Sequence, residues 1–170
     1  LEKAAGKRIY LRFEGVCSAF LLYVNGKSAG MSKCSHNGAE FDITDYAVNG
    51  ENTLHVAVFT RSDASYLEDQ DFFRFNGIFR DVYLLTRPDN HIYDISIKTD
   101  NSGALDISVT FRGKKSEYSC KIYDADGNFI TDKPFIPNVK LWNAEEPNLY
   151  TVVFSACGEF ISIRVGFREI

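Results

Sequence analysis

Residues 19–32 read AFLLYVNGKSAGMS, and this stretch decides the fold. Asn25-Gly26 separates two runs of strand-forming residues. Both residues tolerate positive φ, which a two-residue hairpin turn requires, so residues 19–24 and 27–32 are expected to pair. The same period of two recurs along the chain. Ile9, Leu11 and Phe13 alternate with Arg8, Tyr10, Arg12 and Glu14, and Leu54, Val56 and Val58 alternate with His55, Ala57 and Phe59. Leu105, Ile107, Val109 and Phe111 form a third row, and Ile161, Ile163, Val165 and Phe167 a fourth. One buried and one wet face is the signature of antiparallel sheets. Further turn signals stand at Asn49-Gly50, Asp126-Gly127 and Cys157-Gly158. No segment carries an amphipathic helix of three turns, so the class is all-β, built as sandwiches.

The 170 residues suffice for one large or two small domains. Thr86-Arg87-Pro88-Asp89-Asn90 interrupts the strand patterns and places a boundary there, giving domains 1–87 and 88–170. The second part has the size and turn rhythm of an immunoglobulin-like sandwich of about seven strands. A net charge of −4 argues against a nucleic-acid face, and 45% hydrophobic residues with 14% aromatics argue against disorder. No apolar run approaches the ~18 residues of a membrane span, and the opening LEKAAGKR is not a secretory signal. The four cysteines (17, 34, 120 and 157) form no C-x-x-C pair. Cys120 and Cys157 read as buried thiols, with a bridge between them left open.

Residues 61–79, RSDASYLEDQDFFRFNGIF, break the alternation. A connection this long in a compact β domain is commonly functional. Asp63, Glu68, Asp69 and Asp71 interleave with Tyr66, Phe72, Phe73 and Phe75. Carboxylates accept sugar hydroxyls and bind hard cations, while aromatic faces suit the C–H face of a sugar ring. The alternative is a packed loop whose aromatics plug the sandwich and whose acids pair with Arg61, Arg74 and Arg80. A catalytic carboxyl pair within one loop is disfavoured, because two such groups must flank the scissile bond about 5–5.5 Å apart. His36 reads as a solvated loop residue, and His55 and His91 as surface strand residues. Trp142 reads as a sandwich anchor. No Ser-His-Asp set, P-loop or zinc motif occurs.

Several runs together resemble one family. They are Arg12-Phe13-Glu14-Gly15-Val16, Tyr23-Val24-Asn25-Gly26, Glu40-Phe41-Asp42, Gly50-Glu51-Asn52-Thr53-Leu54, Tyr66-Leu67-Glu68-Asp69-Gln70-Asp71, Gly77-Ile78-Phe79-Arg80-Asp81-Val82, Pro147-Asn148-Leu149-Tyr150 and Val165-Gly166-Phe167-Arg168-Glu169. The chain is similar to the large bacterial β-galactosidases of glycoside hydrolase family 2. The resemblance implies a jelly-roll (galactose-binding-like) sandwich lacking its first strands, then an immunoglobulin-like sandwich. It implies that the catalytic TIM barrel lies outside this sequence, so no residue here is assigned a catalytic role. It implies that Asp71 reaches the barrel pocket to help hold a sodium ion and the galactose 6-hydroxyl. Glu68 and Asp69 are expected to fix the loop through Arg74 or Arg80. Asp71-Phe72-Phe73 departs from the Asp-Met-Trp of the best-known members. No cofactor is expected in the fragment, with sodium and magnesium implied for the whole enzyme. The implied partner is a β-galactoside, with neither nucleic acid nor membrane. The incomplete jelly roll should self-associate as a homo-oligomer, since unpaired strands template pairing. A cytoplasmic location is preferred, with periplasmic or secreted ones open. Competing readings are a stand-alone carbohydrate-binding module, a β-glucuronidase or β-mannosidase relative, and a tandem structural module of a surface protein.

Overall fold

The computed structural model describes residues 1–68, 71, 73 and 75–168. The chain divides into two compact units, Leu1–Arg87 and Pro88–Ile170. The first holds β1 (Lys7–Phe13), β2 (Val16–Cys17), β3 (Ala19–Val24), β4 (Lys27–Ser32), β5 (Ala39–Asp42), β6 (Leu54–Phe59), α1 (Ala64–Glu68), β7 (Gly77–Ile78) and β8 (Val82–Pro88). The second holds β9 (His91–Thr99), β10 (Leu105–Arg112), β11 (Ser119–Tyr123), β12 (Phe129–Thr131), β13 (Tyr150–Ala156) and β14 (Glu159–Val165). Among the described residues the regular structure is all-β apart from the five residues of α1.

In the first unit, sheets of order β5-β1-β8 and β4-β3-β6 carry the core, with β2 and β7 as a short ribbon. The β3–β4 hairpin forms with Val24 opposite Lys27. Its turn residues Asn25 (φ 51°) and Gly26 (φ 78°) both occupy the left-handed region. Ile9, Leu11 and Phe13 of β1 meet Phe20, Leu22 and Val24 of β3 in one buried cluster. Phe13, Phe20 and Phe41 contribute one ring each from β1, β3 and β5, with Phe13–Phe20 centroids 4.8 Å apart and Phe20–Phe41 edge-on at 5.6 Å. Opposite β1, Arg8 pairs with Asp42 at 2.7 Å. The alternation thins at the sheet ends, where Leu54 and Phe59 of β6 and Val82 and Leu84 of β8 are exposed.

The second unit pairs β9 with β10 and stacks β12-β11-β13-β14. Cys157 (φ 54°) and Gly158 (φ 77°) turn the β13–β14 hairpin. Ile92, Leu105, Ile122, Val152, Phe154 and Phe167 lead its buried cluster. Among the described residues of this unit six strands stand where about seven were expected. The stretch 133–149 makes isolated bridges, Ala104 to Phe135 and Trp142 to Pro147. Pro134, Pro137 and Pro147 lack the N–H that a ladder needs.

Three other sequence expectations change. His91 is 1% exposed, not a surface residue, and its Nδ1 lies 2.7 Å from the Pro88 carbonyl oxygen. His36 is half-buried against the Phe79 ring. Trp142 stands outside the main cluster, half-buried, with the Arg168 guanidinium 5.0 Å above its ring. Cys120 and Cys157 are both free, Cys120 buried and Cys157 half-buried. Burial pushes the Cys120 thiol upward in pKa, with Asp132 adding to the shift. No helix among the described residues is long and apolar enough to cross a membrane.

Candidate functional site

The acidic segment leaves β6 and folds back on itself at once. Ser65 Oγ accepts from the Ser62 amide at 3.1 Å, while the Ser65 amide donates to the Ser62 carbonyl at 3.1 Å. Asp63 Oδ1 accepts from the Ala64 amide at 3.1 Å. These bonds close a turn at the start of α1. Five residues do not make a stable helix alone, so α1 depends on contacts with the sandwich.

Those contacts come from the connection between β4 and β5. Lys33 Nζ pairs with Asp63 Oδ2 at 2.8 Å. Glu68, the last residue of α1, takes two bonds from Ser35: the amide donates to Oε1 at 3.0 Å and the hydroxyl to Oε2 at 2.5 Å. Ser18 Oγ, on the β2–β3 link, donates to the Phe59 carbonyl at 3.2 Å and lies 3.0 Å from the Ser62 hydroxyl, from which it can accept. At the exit, β7 pairs with β2, Val16 opposite Ile78. The Phe79 ring lies against Gly15, where an added Cβ would come within 2.8 Å of it, so a side chain at 15 would displace the ring. Arg80 Nη1 donates to the carbonyls of His36 (3.0 Å) and Glu14 (3.4 Å), with its guanidinium 5.2 Å from the Phe79 centroid.

Among the residues singled out from the sequence, Asp71 is exposed, three positions past Glu68. Glu68 is bonded to Ser35, a partner the sequence did not point to; the expected pairing of Glu68 with Arg74 falls on a residue outside the described ones. Arg80 instead bonds main-chain carbonyls, whose partial charges need only a donor. Asp69 and Arg74 lie outside the described residues. Sequence reasoning missed Ser35, which is completely buried within the polar run Lys33–Cys34–Ser35–His36. No local pattern marks it, since its partner is 33 positions away.

The segment exposes apolar side chains beside its acids. Tyr66 is 92% exposed, Leu67 79% and Phe73 86%. Phe75, at 46%, stacks on Phe79 with centroids 5.2 Å apart. The segment therefore does not plug the sandwich with these groups.

Five carboxylates are held toward the ionised form by their neighbours. Glu14 is held below the ordinary carboxylate pKa by bonds from Arg12 and then Tyr83. Asp63 is lowered by Lys33, Asp100 by the Ser102 hydroxyl and Asp124 by Asn128. At Asp42 burial opposes ionisation, but the bonds from Thr44 and Arg8 outweigh it and the pKa falls. No group of three or more His, Cys, Asp or Glu side chains among the described residues could hold a metal ion.

Residues 2–88 match the family model described as glycosyl hydrolases family 2, sugar binding domain, and residues 78–168 match that described as glycosyl hydrolases family 2. A β-galactosidase of Clostridium acetobutylicum is 41% identical across 99% of this chain and 21% of that protein. One of Priestia megaterium is 40% identical across 94% of this chain and 19% of that protein. The solved structure of Bifidobacterium dentium β-glucuronidase complexed with coumarin-3-O-glucuronide superposes with a TM-score of 0.81 at 25% identity, covering 96% of this chain and 37% of that one. The chain spans about a fifth of the length of the two galactosidases.

Proposed function

The chain belongs to glycosyl hydrolase family 2, and from that premise we propose that it is the non-catalytic N-terminal portion of a retaining β-galactosidase. The carrying observation is the exposed Asp71 carboxylate on a segment anchored at entry, middle and exit, within a unit that matches the family's sugar-binding domain. In this reading the chain positions substrate and transfers no proton. One carboxylic acid elsewhere in the protein protonates the leaving oxygen, and a second carboxylate forms the glycosyl-enzyme that water cleaves. The depressed carboxylates of this chain suit neither the acid role nor its pKa requirement.

Asp71 would accept a galactose hydroxyl and supply one oxygen ligand to a sodium ion. A lone carboxylate does not make a cation site, and the described residues offer no cluster for sodium or magnesium. The other ligands would come from outside the chain, and no step is derived through either ion. The 41% identity to a galactosidase, against 25% to a glucuronidase, favours galactoside over glucuronide. The exposed Tyr66 and Phe73 also favour a second reading, a carbohydrate-binding module acting alone; calorimetry with lactose separates the two, since millimolar or tighter binding by this chain supports the module. Exposed Leu54, Phe59, Val82 and Leu84 on the end strands β6 and β8 support self-association of the first unit. Light scattering should then return a dimer or larger, and a clean dilute monomer would count against it. The main test is turnover of a chromogenic β-galactoside by the purified 170-residue chain. None is expected, and turnover that survives removal of contaminating enzyme overturns the reading.

A further inference from the structure

Residues 33–36 are polar in sequence and would ordinarily be wet. Yet Ser35 is fully buried, and what covers it is a carboxylate. Both Ser35 donors, amide and hydroxyl, go to the two oxygens of Glu68, and the hydroxyl also lies 3.4 Å from the Ser18 carbonyl. Charge-assisted bonds of this kind are stronger than neutral ones, and two of them fix direction as well as distance. The same short run holds the segment elsewhere. Lys33 takes Asp63 just before α1, and the His36 carbonyl and ring take Arg80 and Phe79 at the exit. The Lys33–Asp63 pair is exposed, with side chains 46% and 74% accessible, so water and salt weaken it. Ser35–Glu68 is the strong point, and it stands three residues before Asp71.

We propose that Ser35 and Glu68 form a positioning pair that sets where the Asp71 carboxylate is presented, so that binding of a galactoside by the intact enzyme depends on two residues that never touch it. This rests on the reading that Asp71 meets the substrate. The geometry matters more than the charge. In Glu68→Gln, the amide oxygen still accepts from the Ser35 amide, the side-chain NH2 donates to Ser35 Oγ, and the hydroxyl turns to the Ser18 carbonyl. In Glu68→Ala and Ser35→Ala the fork is lost.

The test compares Asp71→Ala, Glu68→Ala, Ser35→Ala and Glu68→Gln in the galactosidase that carries this chain, assayed with a chromogenic galactoside over a sodium titration. Hydrogen exchange of residues 61–68 is followed in parallel. Glu68→Ala and Ser35→Ala should raise KM and half-saturating sodium about tenfold, move kcat less, and speed exchange in 61–68. Glu68→Gln should return KM to within about twofold of the parent. A merely stabilising bond would lower the melting temperature and leave KM and the sodium response alone. Asp71→Ala impaired beside an unimpaired Glu68→Ala overturns the positioning role alone. Asp71→Ala with parental KM and sodium response overturns both this inference and the function on which it rests.

Discussion

Phe13 and Phe73 belong to the same unit and meet opposite environments. Phe13 is 2% exposed, ringed by Phe20 and Phe41, while Phe73 is 86% exposed on the acidic segment. The frame uses its aromatics to hold two sheets together. The segment holds itself by polar bonds to Ser35, Lys33 and Ser18, and leaves Tyr66 and Phe73 outside. The difference teaches that the same residue type is set by its surroundings: packed rings hold the frame, and polar bonds hold the segment to it.

The contrast is open to direct attack. Phe13→Ala should cost about 3–5 kcal/mol in denaturant unfolding of the chain, since a large buried ring leaves a cavity. A loss below about 1 kcal/mol would place the core elsewhere. Asp42→Asn should cost about 1–2 kcal/mol at neutral pH, because its half-buried pair with Arg8 is lost. The sign follows from the lowered folded-state pKa. The ionised pair stabilises above the unfolded value near 3.8, and that contribution fades as pH falls through 3.8 toward the folded value. Parent and variant should therefore converge at low pH, and a gap that widens there would contradict the assignment. Lys33→Ala should change stability little, and less still at high salt, as an exposed pair does. Phe73→Ala should leave stability within about 0.5 kcal/mol. A larger loss would mean that the segment's aromatics serve the frame after all.

The sheets were legible because their signals are local. Asn25-Gly26 and Cys157-Gly158 announce hairpins through backbone conformations that few residues accept, and both turns form. The site was legible as a composition, acids among aromatics outside the alternation, and as a family resemblance. What stayed hidden is non-local. Helix α1 is too short to show a period and forms between tethers on either side. The partner of Glu68 is a serine 33 positions earlier, with no charge or motif to betray it. His91 looked like a surface residue because its burial depends on a carbonyl bond at the start of β9. Trp142 looked like a core anchor because size alone suggests burial, yet Pro147 and Arg168 hold it at the margin.

The central claim is that a carboxylate presented by this chain completes a galactoside site whose reacting groups belong to the rest of the protein. The most direct measurement is kcat/KM of the intact galactosidase carrying Asp71→Ala, beside the parent and with unfolding of the two compared. The account predicts a fall of about 100-fold with stability unchanged. Parental kcat/KM in a fully folded variant would contradict it.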